Sequence, residues 1–132
     1  MSWSAYAPIP REVEDVASTC VDCGITVHRV LGPGFKESIY HEAYRLELSS
    51  RGVAYESEKA ILVRYKTWQI PGQKVDLLVA GLVLVEIKAI PKLRRVHQSQ
   101  VVSYLKTMDL RLGLLMNFSG RLFKDGLKRV AR

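Results

Sequence analysis

A chain of 132 residues has room for one domain of ordinary size and little beyond it. A hydrophobic fraction of 48% beside 25% charged residues excludes wholesale disorder and a collagen-like repeat, and two cysteines exclude a disulfide scaffold. Twenty Lys and Arg against 13 acids leave a net charge of +7, which suggests a polyanionic partner, although small basic proteins without one are common.

No run approaches the roughly 18 consecutive apolar residues of a membrane span. The opening Met1-Ser2-Trp3-Ser4-Ala5-Tyr6 lacks the basic and apolar regions of a secretory signal. The expected location is cytoplasmic, with no membrane partner. Residues 1–9 read as an N-terminal extension and residues 10–132 as a single domain.

From Pro10 onward, Val13, Val16, Ala17, Cys20, Gly24, Val27 and Leu31 recur at helical spacing, stopped by Gly32-Pro33-Gly34. Cys20 lies on this stripe and Cys23 at its edge. A redox Cys-x-x-Cys should follow a strand and a zinc site needs two more ligands, so both are expected as small buried side chains. A second helix is predicted over residues 35–50, closed by Arg51-Gly52. Residues 54–66 are rich in β-formers, and Pro71-Gly72 reads as a turn. Residues 74–80 and 82–90 read as a hairpin around Gly81. A third helix over residues 97–108 precedes the apolar run Leu112-Gly113-Leu114-Leu115-Met116, a short buried strand. The basic tail from Arg121 carries no clear pattern. The order is α-α-β-β-β-α-β, an α/β domain with helices flanking a central sheet.

The hairpin carries the chemistry. Period two sets Val83, Val85 and Ile87 on one face and Leu84, Glu86 and Lys88 on the other, while Val75, Leu77 and Val79 face away from Asp76. Both faces are mostly apolar, so the sheet should be covered on both sides. Asp76, Glu86 and Lys88 nevertheless enter it, and buried charge needs a partner, a metal or a cleft. A two-residue turn at Ala80-Gly81 would put the two carboxylates on opposite faces. A three-residue turn with Gly81 left-handed brings them together, and that geometry or an equivalent bulge is expected. Two carboxylates with a nearby lysine suit phosphodiester hydrolysis with Mg²⁺ or Mn²⁺. A structural ion pair between Glu86 and Lys88 is the plain alternative.

With Val27-His28-Arg29-Val30-Leu31-Gly32-Pro33-Gly34, then Gly34-Phe35-Lys36-Glu37-Ser38-Ile39-Tyr40, Asp76, Glu86-Ile87-Lys88, His97 to Tyr104 and Leu112 to Phe118, the chain resembles the GxxExxY proteins. That family in turn resembles the PD-(D/E)XK nuclease superfamily, with its restriction-endonuclease-like core. Val75 stands where Pro commonly precedes the aspartate. The resemblance implies Asp76 and Glu86 as metal ligands, Lys88 as the catalytic lysine, and Glu37 as an assistant to metal or water. Glu37 has an ordinary reading too, as a first-turn acid that stabilises the helix dipole and caps Gly34. Tyr40 and Tyr44 share its face and are expected to be packed.

Gln100 and Tyr104, on one helix face with His97, resemble the Gln-x-x-x-Tyr element of RecB-like nucleases, with Gln100 beside the metal site. His97 reads first as a helix-end residue, then as a phosphate contact, then as a base. Lys92, Arg94 and Arg95 would hold backbone phosphates at the mouth of the cleft, and Lys124, Lys128, Arg129 and Arg132 form a second basic group. The function expected is a metal-dependent nuclease acting through metal-activated water on nucleic acid, DNA more than RNA. The alternatives are a non-catalytic nucleic-acid-binding or protein-interaction module, and a homodimer in which one chain completes the other's binding surface.

Overall fold

The computed structural model describes residues 7–132, so the first six positions of the expected extension over residues 1–9 lie outside the described residues. The elements are α1 (Arg11–Leu31), α2 (Glu37–Ser50), β1 (Tyr55–Tyr65), β2 (Trp68–Val79), β3 (Val83–Lys88), α3 (Arg95–Met108), β4 (Leu112–Asn117) and β5 (Leu127–Ala131). A short 3-10 turn, Phe123–Gly126, precedes β5. The expected α-α-β-β-β-α-β core is present. The basic tail extends it with a fifth strand, whose two larger apolar residues, Leu127 and Val130, stand three apart on opposite faces and leave no alternation to read in the sequence.

The five strands lie in the order β1-β2-β3-β4-β5. All neighbours are antiparallel except β3 and β4, which are parallel and joined through α3, as a parallel pair requires a long crossover. One face carries Leu77, Val79, Val83, Val85 and Ile87 against α1 and α2. The opposite face carries Leu84 and Leu115 against Val101, Tyr104 and Leu105 of α3. Covering both faces explains why the strands read as nearly continuous apolar runs. At Gly113, a Cβ would sit 2.7 Å from Val101 Cγ1, so the missing side chain lets α3 approach β4 closely. No helix among the described residues is long and apolar enough to cross a membrane.

Of the α1 stripe, Val13, Ala17, Cys20, Gly24 and Val27 are buried and Val16 and Leu31 half-buried against the same cluster; Cys23 is buried too, and both cysteines are free thiols. Burial pushes the Cys20 thiol up to about 12, which leaves it unreactive as a thiolate. Tyr40 and Tyr44 are packed too. Tyr40 donates to the Gly32 carbonyl at 2.6 Å and accepts from the Phe35 N–H, tying down the loop between α1 and α2, and Tyr44 donates to the Cys20 carbonyl.

Two expectations need correction. Pro71-Gly72 is not a turn but lies inside β2, opposite Leu62. The register shifts between Ile61↔Gln73 and Val63↔Ile70, so the pair forms the two-residue side of a bulge, with Gly72 at φ 114°. The reversal falls instead at Lys66, at φ 55°. A Pro-Gly pair supplies the same left-handed freedom to a bulge as to a turn, so local sequence cannot separate the two. The second correction concerns Val75, which joins the α3-side cluster rather than sharing a face with Leu77 and Val79. Strict alternation breaks at Asp76. Opposite it, Glu58 is left-handed at φ 49°, between the paired positions Ser57↔Leu77 and Lys59↔Val75.

Candidate active site

The hairpin joining β2 to β3 decides whether the two carboxylates meet. Its pairs are Leu77↔Val85, Leu78↔Leu84 and Val79↔Val83, so opposed residue numbers share an even sum. The loop is Ala80-Gly81-Leu82, with Gly81 left-handed at φ 69°, as register demands, and Ala80 also left-handed at φ 53°. Asp76 and Glu86 are thereby set opposite one another. At their level the carboxyls replace the backbone ladder: the Asp76 N–H donates to Glu86 Oε2 at 2.7 Å, and the Ile87 N–H donates to Asp76 Oδ2 at 2.8 Å. This exchange is where β2 departs from regular alternation.

Glu86 is 4% exposed. Burial pushes its carboxyl up to about 8, and the neighbouring Asp76 adds to the rise; the Asp76 N–H and Lys88 oppose it. The Tyr104 phenol is also raised, by burial first and then by the charges of Glu86 and Asp76, so its ring lies within electrostatic reach of the pair. Lys88 ends β3 half-buried. Among the described residues it forms no ion pair, so the salt bridge to Glu86 considered from sequence is absent.

Each carboxyl spends one oxygen on a backbone N–H, and the other has no hydrogen-bond partner among the described residues. No group of three or more His, Cys, Asp or Glu side chains among those residues is placed to hold a metal. Two carboxylates nevertheless fit Mg²⁺ or Mn²⁺, since such a cation commonly takes one or two from the protein and fills its sphere with water and substrate oxygens.

A cleft of about 360 Å³ opens beside Asp76, lined also by Glu37, Ser38, His41 and Glu58. Glu37, the first residue of α2, is exposed there and contributes to the rise at Glu86. Its capping role is not realised, because no side chain caps this helix. His97 takes its helix-end role: Nδ1 accepts the Arg94 N–H at 2.9 Å. Tyr104 accepts from Gln73 Nε2 at 2.7 Å, whereas Gln100 is exposed and makes no hydrogen bond among the described residues. Lys92, Arg94 and Arg95 are all exposed. The second basic group is partly neutralised, since Arg129 binds Glu14 through both terminal nitrogens and Arg132 binds Asp109.

The sequence profile of the PD-(D/E)XK nuclease superfamily matches residues 14–130. The chain belongs to that superfamily. Among solved structures, a PD-(D/E)XK chain of this shape is similar to the crystal structure of SSO0001. The TM-score is 0.56 at 19% identity, over 72% of this chain and 49% of that one, which is a likeness of fold. The chain thus spans about half the length of that structure. No curated protein matches in sequence.

Several residues of this PD-(D/E)XK site were not singled out from sequence. Gln73 fixes Tyr104, and His41 Nε2 reaches the Asp76 carbonyl at 3.4 Å. His41 stands one helical turn after Glu37, a spacing that was visible. Asn117 is buried and clamps Ile90 by accepting from its N–H and donating to its carbonyl, which fixes the chain just beyond Lys88. Its signal is a polar residue closing an apolar strand, register-paired with Lys88.

Proposed function

We propose that this chain is a nuclease hydrolysing phosphodiester bonds of nucleic acid, DNA before RNA, with Mg²⁺ or Mn²⁺ held by Asp76 and Glu86. Within its superfamily we take it as a GxxExxY protein, on Gly34, Glu37 and Tyr40. The observation that carries the reading is the reciprocal carboxyl exchange between β2 and β3, which among the described residues leaves one free oxygen on each acid beside a lysine without an ion pair. A divalent cation bound there would neutralise charge on the phosphate and lower the pKa of the attacking water. Lys88 would offset the charge that develops on the phosphate oxygens and orient the water. Glu37, across the cleft, would position that water. Lys92, Arg94 and Arg95 would hold flanking backbone phosphates, and His97 keeps Nε2 for the same purpose, its Nδ1 being occupied.

The test is cleavage of labelled single-stranded, duplex and branched DNA and of RNA, in Mn²⁺, Mg²⁺ or chelator. Metal-dependent cleavage lost in folded Asp76→Ala and Lys88→Ala supports the proposal. Binding without cleavage, unchanged in both variants, would overturn it in favour of a non-catalytic binding module. That second reading is favoured by one observation, the lack of a third acidic, histidine or cysteine ligand among the described residues.

A further inference from the structure

The hairpin of β1 and β2 does not end with the sheet. Continuing the β2–β3 register sets Lys88 level with Lys74, so beyond Ile61↔Gln73 the two strands run on without a β3 neighbour. Tyr65 is four residues past Ile61, which extends the arm by about 13 Å at strand rise. The arm leaves the sheet at the same end as Asp76, Glu86 and Lys88. Its pairs Val63↔Ile70 and Tyr65↔Trp68 set four apolar side chains on one face. That face continues the one on which Gln73 meets Tyr104.

The tip is aromatic and basic. Tyr65 and Trp68 stack at 6.2 Å with 20° between planes, and they are 56% and 62% exposed. Lys66 Nζ lies 5.5 Å from the Tyr65 ring centre. Residues 62–72 contain no acid, and neither Arg64 nor Lys66 has an acidic partner among the described residues.

We propose that this arm binds the unpaired bases of a single-stranded nucleic-acid segment next to the scissile phosphate, with Tyr65 and Trp68 as the stacking platform and Arg64 and Lys66 on the backbone. The inference rests on the nuclease reading only for what occupies the neighbouring site. Exposed rings interleaved with cations that have no acidic partner among the described residues are the combination that single strands use, because every base offers a π-face and every linkage a charge. Duplex bases are already stacked and offer the rings no face. A second copy fits less well. A two-fold contact through this arm would bring its cations onto their own equivalents with no acid to offset them. Its four apolar side chains would also cover on the order of 400 Å², against the ~800 Å² per partner of a stable interface.

Anisotropy of labelled dT20 and of a 20-base-pair duplex, in EDTA with the full chain, tests the arm. Trp68→Ala is expected to weaken dT20 binding about tenfold, Trp68→Phe to retain most of it, and duplex binding to stay within about twofold. Arg64→Ala with Lys66→Ala should reduce the salt slope on dT20 by about 1.4. The proposal is overturned by an absence of dT20 binding, by equal affinity of Trp68→Ala, or by equal losses on both probes. A dimer that Trp68→Ala turns into monomer overturns it as well, by showing that a second copy covers the arm. Arm-dependent binding in a wild type that cleaves nothing would sustain this proposal while removing the nuclease reading.

Discussion

Replacing Glu86 by Gln should stabilise the metal-free protein at neutral pH. Glu86 is buried against Asp76 and its carboxyl is pushed up to about 8, from an ordinary value of 4.5. Between those values the folded chain keeps a proton that the unfolded chain has released. The contribution of Glu86 is therefore fully present below about pH 4.5, declines as pH rises towards 8, and is constant above it. At pH 7 the penalty relative to a non-titrating isostere is about 3 kcal/mol, and above pH 8 about 5 kcal/mol. Gln keeps a carbonyl oxygen for the Asp76 N–H, so Glu86→Gln should remove the penalty and leave the bond. For a domain of this size the expected gain in Tm at pH 7 is about 10 °C, vanishing near pH 4. Thermal melts of both proteins in EDTA, from about pH 4 to 9, read this directly. A gap independent of pH, or a variant less stable above pH 7, would refute the reasoning. Millimolar Mn²⁺ should then raise the Tm of the wild type and leave that of the variant unchanged, since only a site with both carboxyls gains from binding.

Asn117→Ala should cost about 1–3 kcal/mol in urea melts, because the Ile90 N–H loses its partner while the Ile90 carbonyl keeps the Ser119 hydroxyl, and on the proposed function it should slow cleavage by loosening the chain beyond Lys88. Gly113→Ala should cost about 1–3 kcal/mol through contact with the β-branched Val101; an unchanged melting curve would show that α3 can shift away. Neither Cys20 nor Cys23 should react with iodoacetamide in the native protein at pH 8, and both should react in urea. Native labelling would contradict the packing of α1. Tyr104→Phe should cost about 1 kcal/mol, since it removes the acceptor of Gln73 and leaves the ring in place.

Local chemistry alone placed most of the elements. The apolar stripe of α1, the Arg51-Gly52 stop after α2 and the buried run of β4 follow from helical period, glycine freedom and strand alternation, which neighbouring residues determine between them. The sum rule for the β2–β3 register was legible for the same reason, because Gly81 marks where a left-handed residue fits. Pro71-Gly72 shows the limit of such reading. The pair declares local backbone freedom, and only its pairing with β1 makes that freedom a bulge and lengthens β2 into an arm. The exchange of carboxyl for ladder bonds at Asp76 and Glu86, and the displacement of Val75 that goes with it, needed two strands in contact. Likewise Gln73 finds Tyr104, Asn117 finds Ile90 and Glu14 finds Arg129 across separations of 31, 27 and 115 residues. The sequence by itself determined which side chains carry the chemistry and roughly where the elements run. Tertiary structure decided which polar atoms are satisfied and which stay free, because hydrogen bonds between distant segments follow from strand register and burial, and these exist only once the sheet has closed.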